Sequence, residues 1–136
     1  MSEPIYAEPR AVESIDDCAF YHTMELPGDG VVPGNFDLRG QLDVYLGPVD
    51  FAGKRVLEIG PGSGFLTFEM EKRGAEVVSI ELADDIPWDY VPYALPEKDA
   101  WLVEQRAYMA RMRNGYWYAH KALGSKARVH YGSAYR

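Results

Sequence analysis

Disulfides are excluded at the outset, because the 136-residue chain has one cysteine, Cys18. A lone thiol fits a reducing, cytosolic setting. Nothing beside Cys18 would lower its pKa, so it reads as a small half-buried residue rather than a nucleophile. Histidine is scarce as well. His22, His120 and His130 share no ligand spacing with one another or with Cys18, so no metal site is expected. No apolar run approaches the ~18 residues of a transmembrane helix, so no membrane partner is expected. The opening Met1-Ser2-Glu3-Pro4 is acidic and lacks the apolar stretch of a signal peptide. Positive charge is in deficit: 14 Lys and Arg against 21 Asp and Glu leave −7. That balance argues against non-specific binding to nucleic acid. There are no internal repeats and no low-complexity segment.

What is present is enough for one domain around one core. The chain is organised around residues 54–64, Lys-Arg-Val-Leu-Glu-Ile-Gly-Pro-Gly-Ser-Gly. An apolar burst carries an acid, Glu58, at its end. Gly60, Pro61, Gly62 and Gly64 form a turn, and helical spacing begins at Phe65. Glycine lets loop backbone press against a ligand. The helix N-terminus behind it offers unpaired N–H groups. The dinucleotide fingerprint needs glycine at 65, where Phe65 stands. A phosphate loop needs a lysine that is absent between Gly60 and Lys72. A second strand, Ala75 to Glu81, places another carboxylate about 20 residues past the first glycine, where β-α-β units hold ribose hydroxyls. The bland alternative is a packing turn followed by a solvated acid.

Taken in order, residues 1–17 read as a loosely held arm or a short helix near 10–17. Residues 20–25 and Val31-Val32 flank the turn Pro27-Gly28-Asp29-Gly30 and predict a hairpin over the site mouth. Asn35 to Leu46 has helical spacing, with Asn35 as N-cap. Residues 64–73 predict a helix, with Ser63 as a constrained cap, Glu69 and Arg73 as an outer ion pair, and Gly74 as terminator. Residues 82–98 are broken by Pro87, Pro92 and Pro96. Their Trp88, Tyr90 and Tyr93 either stack on a ligand or pin the loop. Asp99 to Leu123 predicts a long helix capped by Asp99, with a break at Asn114-Gly115. Ala127 to Tyr131 is a third strand. Right-handed crossovers order the strands 3-2-1, the first half of a doubly wound parallel α/β sheet.

The run Glu58-x-Gly-x-Gly-x-Gly resembles the first motif of class I methyltransferases that use S-adenosylmethionine (SAM). Phe20 to Pro27, Pro33 to Arg39, Gly53 to Gly60 and the looser Asn114 to His120 with Leu123 to Ser125 resemble one branch. It contains the tRNA wobble-uridine carboxymethyl transferases. The likeness covers roughly residues 18–136, as a leader (18–53) and a core (54–136).

The resemblance implies SAM as cofactor. Glu58 would face its methionine end, and Gly60, Pro61, Gly62 and Gly64 would give close backbone approach. Glu81 would hold the ribose, with Leu82 against the adenine and Ser133 and Ala134 at its edge. Tyr21 and His22 are candidates near the transferred group, although His22 also reads as a histidine satisfied by backbone. Arg39 and Trp88 are substrate-binding candidates. Family members continue into strands four to seven, which this chain lacks, so it resembles an N-terminal half. The open edge of its first parallel strand then predicts self-association or a partner chain. Two other functions stay open: a non-catalytic SAM-binding or assembly module, and another SAM-using or SAM-cleaving enzyme.

Overall fold

A computed structural model describes residues 4–88 and 97–135. One 3-10 turn, Ile15–Asp17, precedes the strands. Strands β1 (Met24–Leu26) and β2 (Gly30–Val32) form an antiparallel hairpin. Helix α1 (Leu42–Leu46) follows, then β3 (Arg55–Ile59), α2 (Phe65–Lys72), β4 (Glu76–Leu82), α3 (Lys98–Ala122) and β5 (Arg128–Gly132). The three later strands are parallel, in the order β3-β4-β5. That is the expected half of a doubly wound sheet, and the fold is mixed α/β.

Alternation along the strands decides which face is buried. Val77, Ser79 and Val129 are buried, and their register neighbours Val56 and Glu58 share that face. Phe65 and Phe68 of α2 and Tyr116 and Trp117 of α3 join Val129 in the main core. The opposite face carries Leu57 and Ile59, 64% and 63% exposed, beside half-buried Val78, Ile80 and Leu82.

The leader is built differently from its spacing. The Asn35-capped helix does not form. Phe36 is extended and bridges His22, donating its N–H to the Tyr21 carbonyl (3.0 Å) and accepting the Thr23 N–H (2.8 Å). Gly40, at φ +75°, then interrupts the chain, and only five residues of helix follow. Tertiary pairing of the Phe36 backbone outweighs helical spacing that has no side-chain cap to support it.

The N-terminal segment is held rather than loose. The Ala7 N–H donates to the Val129 carbonyl on the outer edge of β5 (2.8 Å). The Arg128 guanidinium lies 4.5 Å from the centre of the Tyr6 ring. Residues 10–14 are not helical.

Helix α3 is unbroken at Asn114-Gly115. Gly115 serves close approach instead: a Cβ there would lie 2.6 Å from the Ala19 carbonyl oxygen. Glu97 rather than Asp99 occupies the cap, and Asp99 sits in the first turn. Ser63 caps nothing; Gly64 is the N-cap of α2. Arg73 pairs with Asp43 (2.8 Å) and Glu69 with Lys72, so the outer Glu69–Arg73 pair is not formed. Among the described residues no helix is long and apolar enough to cross a membrane.

Candidate functional site

Parallel strands leave their C-terminal ends on one side of the sheet, and ligands bind open α/β sheets there. Here β3 ends in the glycine turn, β4 ends in Glu81-Leu82, and β5 leads into Ser133-Ala134. The Gly60 N–H donates to the Ile80 carbonyl (2.9 Å), so the turn leaves the sheet beside β4. Gly60 sits at φ +74° with nothing within 4 Å of a built Cβ. Its open side faces two cavities. One, of about 530 Å³, is lined by Gly60, Glu81, Leu82, Ile86, Ser133 and Ala134 among others. The other, of about 430 Å³, is lined by Tyr21, His22, Tyr45, Glu58, Gly60, Pro61 and Gly62 among others. Gly64 has a different duty. At φ +91° its built Cβ falls 2.5 Å from the Phe68 ring and 2.9 Å from the Tyr116 ring, so it is a packing glycine.

The two acids differ in their surroundings. Glu58 Oε1 accepts hydrogen bonds from the Thr67 and Ser79 hydroxyls, the latter at 2.9 Å. Both hydroxyl residues are buried. Burial pushes the Glu58 carboxyl above its ordinary range, against the pull of those two donors, and the Glu81 charge pushes the same way. Glu81 spans the turn: Oε2 accepts from the Gly62 N–H and Oε1 from the Leu82 N–H, each at 3.2 Å.

The leader reaches this site through one bond. The Tyr21 N–H donates to Ser63 Oγ (3.0 Å). Tyr21 and His22 therefore flank the glycine turn, with rings 4.8 Å apart and nearly perpendicular. The His22 ring nitrogens make no hydrogen bond among the described residues, and the ring packs against Tyr21 and Phe65. Burial lowers the His22 pKa, so its imidazole is neutral at neutral pH and able to accept a proton.

The structure thus gathers Tyr21, His22, Glu58, Gly60, Pro61, Gly62, Glu81, Leu82, Ser133 and Ala134 around two adjoining cavities. Arg39 is not brought there. Its guanidinium grips Asp37 at the surface (2.9 Å), because the chain extends where a helix was expected. Trp88 lies in a third cavity, which Glu81 and Leu82 also line with Arg106 and Met109, and stands edge-on to Trp101. Tyr90, Tyr93, Pro92 and Pro96 lie outside the described residues. His120 bonds the Ala127 carbonyl (3.0 Å) and His130 the Ile5 carbonyl (2.6 Å), both structural duties.

Sequence reasoning missed Thr67, Ser79 and Ser63. Ser79 had a legible signal: a hydroxyl at an inward position of an apolar strand needs a buried partner.

These residues suit a nucleoside with an amino-acid end. An acid flanked by hydroxyls suits an ammonium, and a carboxylate beside open backbone suits a diol. No protein-family model matches the chain, and no solved structure matches it. Over 34 residues, 25% of the chain, it is 56% identical to the protein named Probable ribosomal RNA small subunit methyltransferase A of Methanospirillum hungatei JF-1. Over 78 residues, 57% of the chain, it is 36% identical to Ubiquinone biosynthesis O-methyltransferase of Azoarcus sp.. Those stretches span 13% and 33% of the two relatives. The two local matches support a class I methyltransferase likeness at that general level.

Proposed function

We propose that this chain is the cofactor-binding portion of a SAM-dependent methyltransferase. One observation carries the reading. Neighbouring parallel strands carry Glu58 and Glu81 one residue before their ends, and Gly60 lies open between two cavities that these acids line. Glu58, steadied by Thr67 and Ser79, would take the ammonium of the amino-acid end. Glu81 would turn from the backbone N–H groups to the ribose hydroxyls, with Leu82, Ser133 and Ala134 around the base.

The bound cofactor would supply an electrophilic one-carbon group. The chain's own part is to align donor and acceptor and to exclude water. Where the acceptor must lose a proton, neutral His22 would be the base, with Tyr21 beside it in the same cavity. The finer likeness, to the tRNA wobble-uridine branch, rests on the leader motifs. Exposed Tyr21, Phe36 and Tyr45 offer an acceptor rings to stack on.

A second chain, or a further segment, would complete the sheet along the outer edge of β3. No strand pairs there among the described residues, and Leu57 and Ile59 stand exposed beside that edge. Molar mass in solution tests self-association; a monomer at every concentration refutes it. The competing reading is an assembly module that binds SAM without turnover, and release of S-adenosylhomocysteine with candidate acceptors separates the two.

Calorimetry with S-adenosylhomocysteine tests the site. The unaltered protein should bind, and Glu81→Ala should weaken binding about ten-fold or more, the loss of charge-assisted bonds. Equal affinity removes Glu81 from the site. No binding by the unaltered protein refutes the cofactor.

A further inference from the structure

We propose that Arg113 is a positioning residue for the nucleoside end of this site, a role that rests on the SAM-binding reading. Arg113 rises from the second half of α3, and its side chain is only 11% exposed. One terminal nitrogen donates to the Leu82 carbonyl. The other pairs with Asp84 at 2.7 Å. The guanidinium carbon lies 4.6 Å from the centre of the Tyr131 ring. Tyr131 is held in turn, its hydroxyl accepting the Trp117 indole N–H at 2.9 Å. Arg113 therefore ties a rigid helix and β5 to the turn that leaves β4. Glu81 and Leu82 are the last two residues of β4, just before that turn.

The arrangement is poor as a stability device. Asp84 is 83% exposed, so the ion pair is largely screened by water. Arg113 Nε is buried without a hydrogen-bond partner among the described residues. An apolar side chain of similar length would pack there at little loss. What an apolar side chain would not do is fix the Leu82 carbonyl. Leu82 is the last residue of β4, and only the Ala83 N–H, donating to the Gly132 carbonyl at 3.3 Å, continues the ladder beyond it. Without Arg113 the strand end frays, and Glu81 loses the position from which it bridges Gly62 and Leu82. Arg113 touches no ligand in this account; it acts through the backbone that presents Glu81 and Leu82.

The test uses Arg113→Met and Arg113→Lys in the full chain, with S-adenosylhomocysteine as probe. Calorimetry should show about ten-fold weaker binding for Arg113→Met, the scale of one lost charge-assisted bond. Melting temperature should stay within a few degrees. Arg113→Lys keeps one donor and should fall between. In a Glu81→Ala background, Arg113→Met should add little further loss, because both act on one contact. Combined with Glu58→Gln, at the other end of the site, the losses should add. Unchanged affinity in Arg113→Met overturns the role. So does a large fall in melting temperature in both variants, or full additivity with Glu81→Ala; either marks a general structural arginine. Failure of the unaltered protein to bind removes the SAM reading itself, and the Arg113 role with it.

Discussion

The glycines of the turn look alike in sequence, yet the structure predicts opposite consequences for replacing two of them. Gly64→Ala forces a left-handed residue with a Cβ, which costs about 1–2 kcal/mol. Its Cβ also meets the Phe68 ring at 2.5 Å and the Tyr116 ring at 2.9 Å. Both rings are buried, 3% and 1% exposed, so neither yields freely. Overpacking of that kind adds about 1–3 kcal/mol. The sum, about 2–5 kcal/mol, lowers the melting temperature of a domain this size by roughly 6–25 °C. Gly60→Ala carries the backbone term alone, because nothing lies within 4 Å of its Cβ. It should melt within about 10 °C of the unaltered protein. Its methyl group, however, points into space that two ligand-sized cavities share. Binding of S-adenosylhomocysteine should fall about ten-fold or more. Thermal melts and calorimetry on the two variants decide the matter. A Gly64→Ala protein that melts like the parent, or a Gly60→Ala protein that binds like it, refutes the division of labour.

Three further outcomes follow from single groups. The Tyr116 hydroxyl is buried without a hydrogen-bond partner among the described residues, and burial raises its pKa. Tyr116→Phe should therefore be neutral or stabilising by about 1 kcal/mol; a clear loss on denaturant titration shows that the hydroxyl is bonded. Burial holds the Glu58 pKa above its unfolded value, so the folded state binds that proton more tightly. Stability then falls as pH rises from the ordinary glutamate value through the raised one. Glu58→Gln should gain melting temperature relative to the parent as pH rises above the ordinary glutamate range, while binding ligand less well; a pH-independent difference contradicts this. Cys18 is 7% exposed and its thiol is pushed up to about 11, chiefly by burial. A thiol-reactive dye at neutral pH should label it only after denaturant is added, and prompt labelling of the folded protein counts against that burial.

Local pattern alone determined much of this protein. The strands at 55–59, 76–82 and 128–132, and the helix between the first two, were legible because apolar runs and glycine stops act within a few residues. The parallel order followed from the handedness of the two crossovers. The glycine turn and the two acids beside it were legible as well, since both are short-range features of the chain.

Tertiary structure decided the rest. Asn35 to Leu46 has helical spacing, but the Phe36 backbone groups near its head pair with the Tyr21–Thr23 segment, a partner about 14 residues away. Arg39 looked like a free cation and is bound to Asp37. Gly115 looked like a helix break and is a contact point for Ala19. Which glycine faces open space and which faces rings depends in part on Tyr116, about fifty residues beyond the turn. That Arg113 holds the end of β4 depends on a helix folding back over the strand. Spacing within a segment fixes what it prefers alone; the competition for buried backbone partners, and for space, is settled only when distant segments meet.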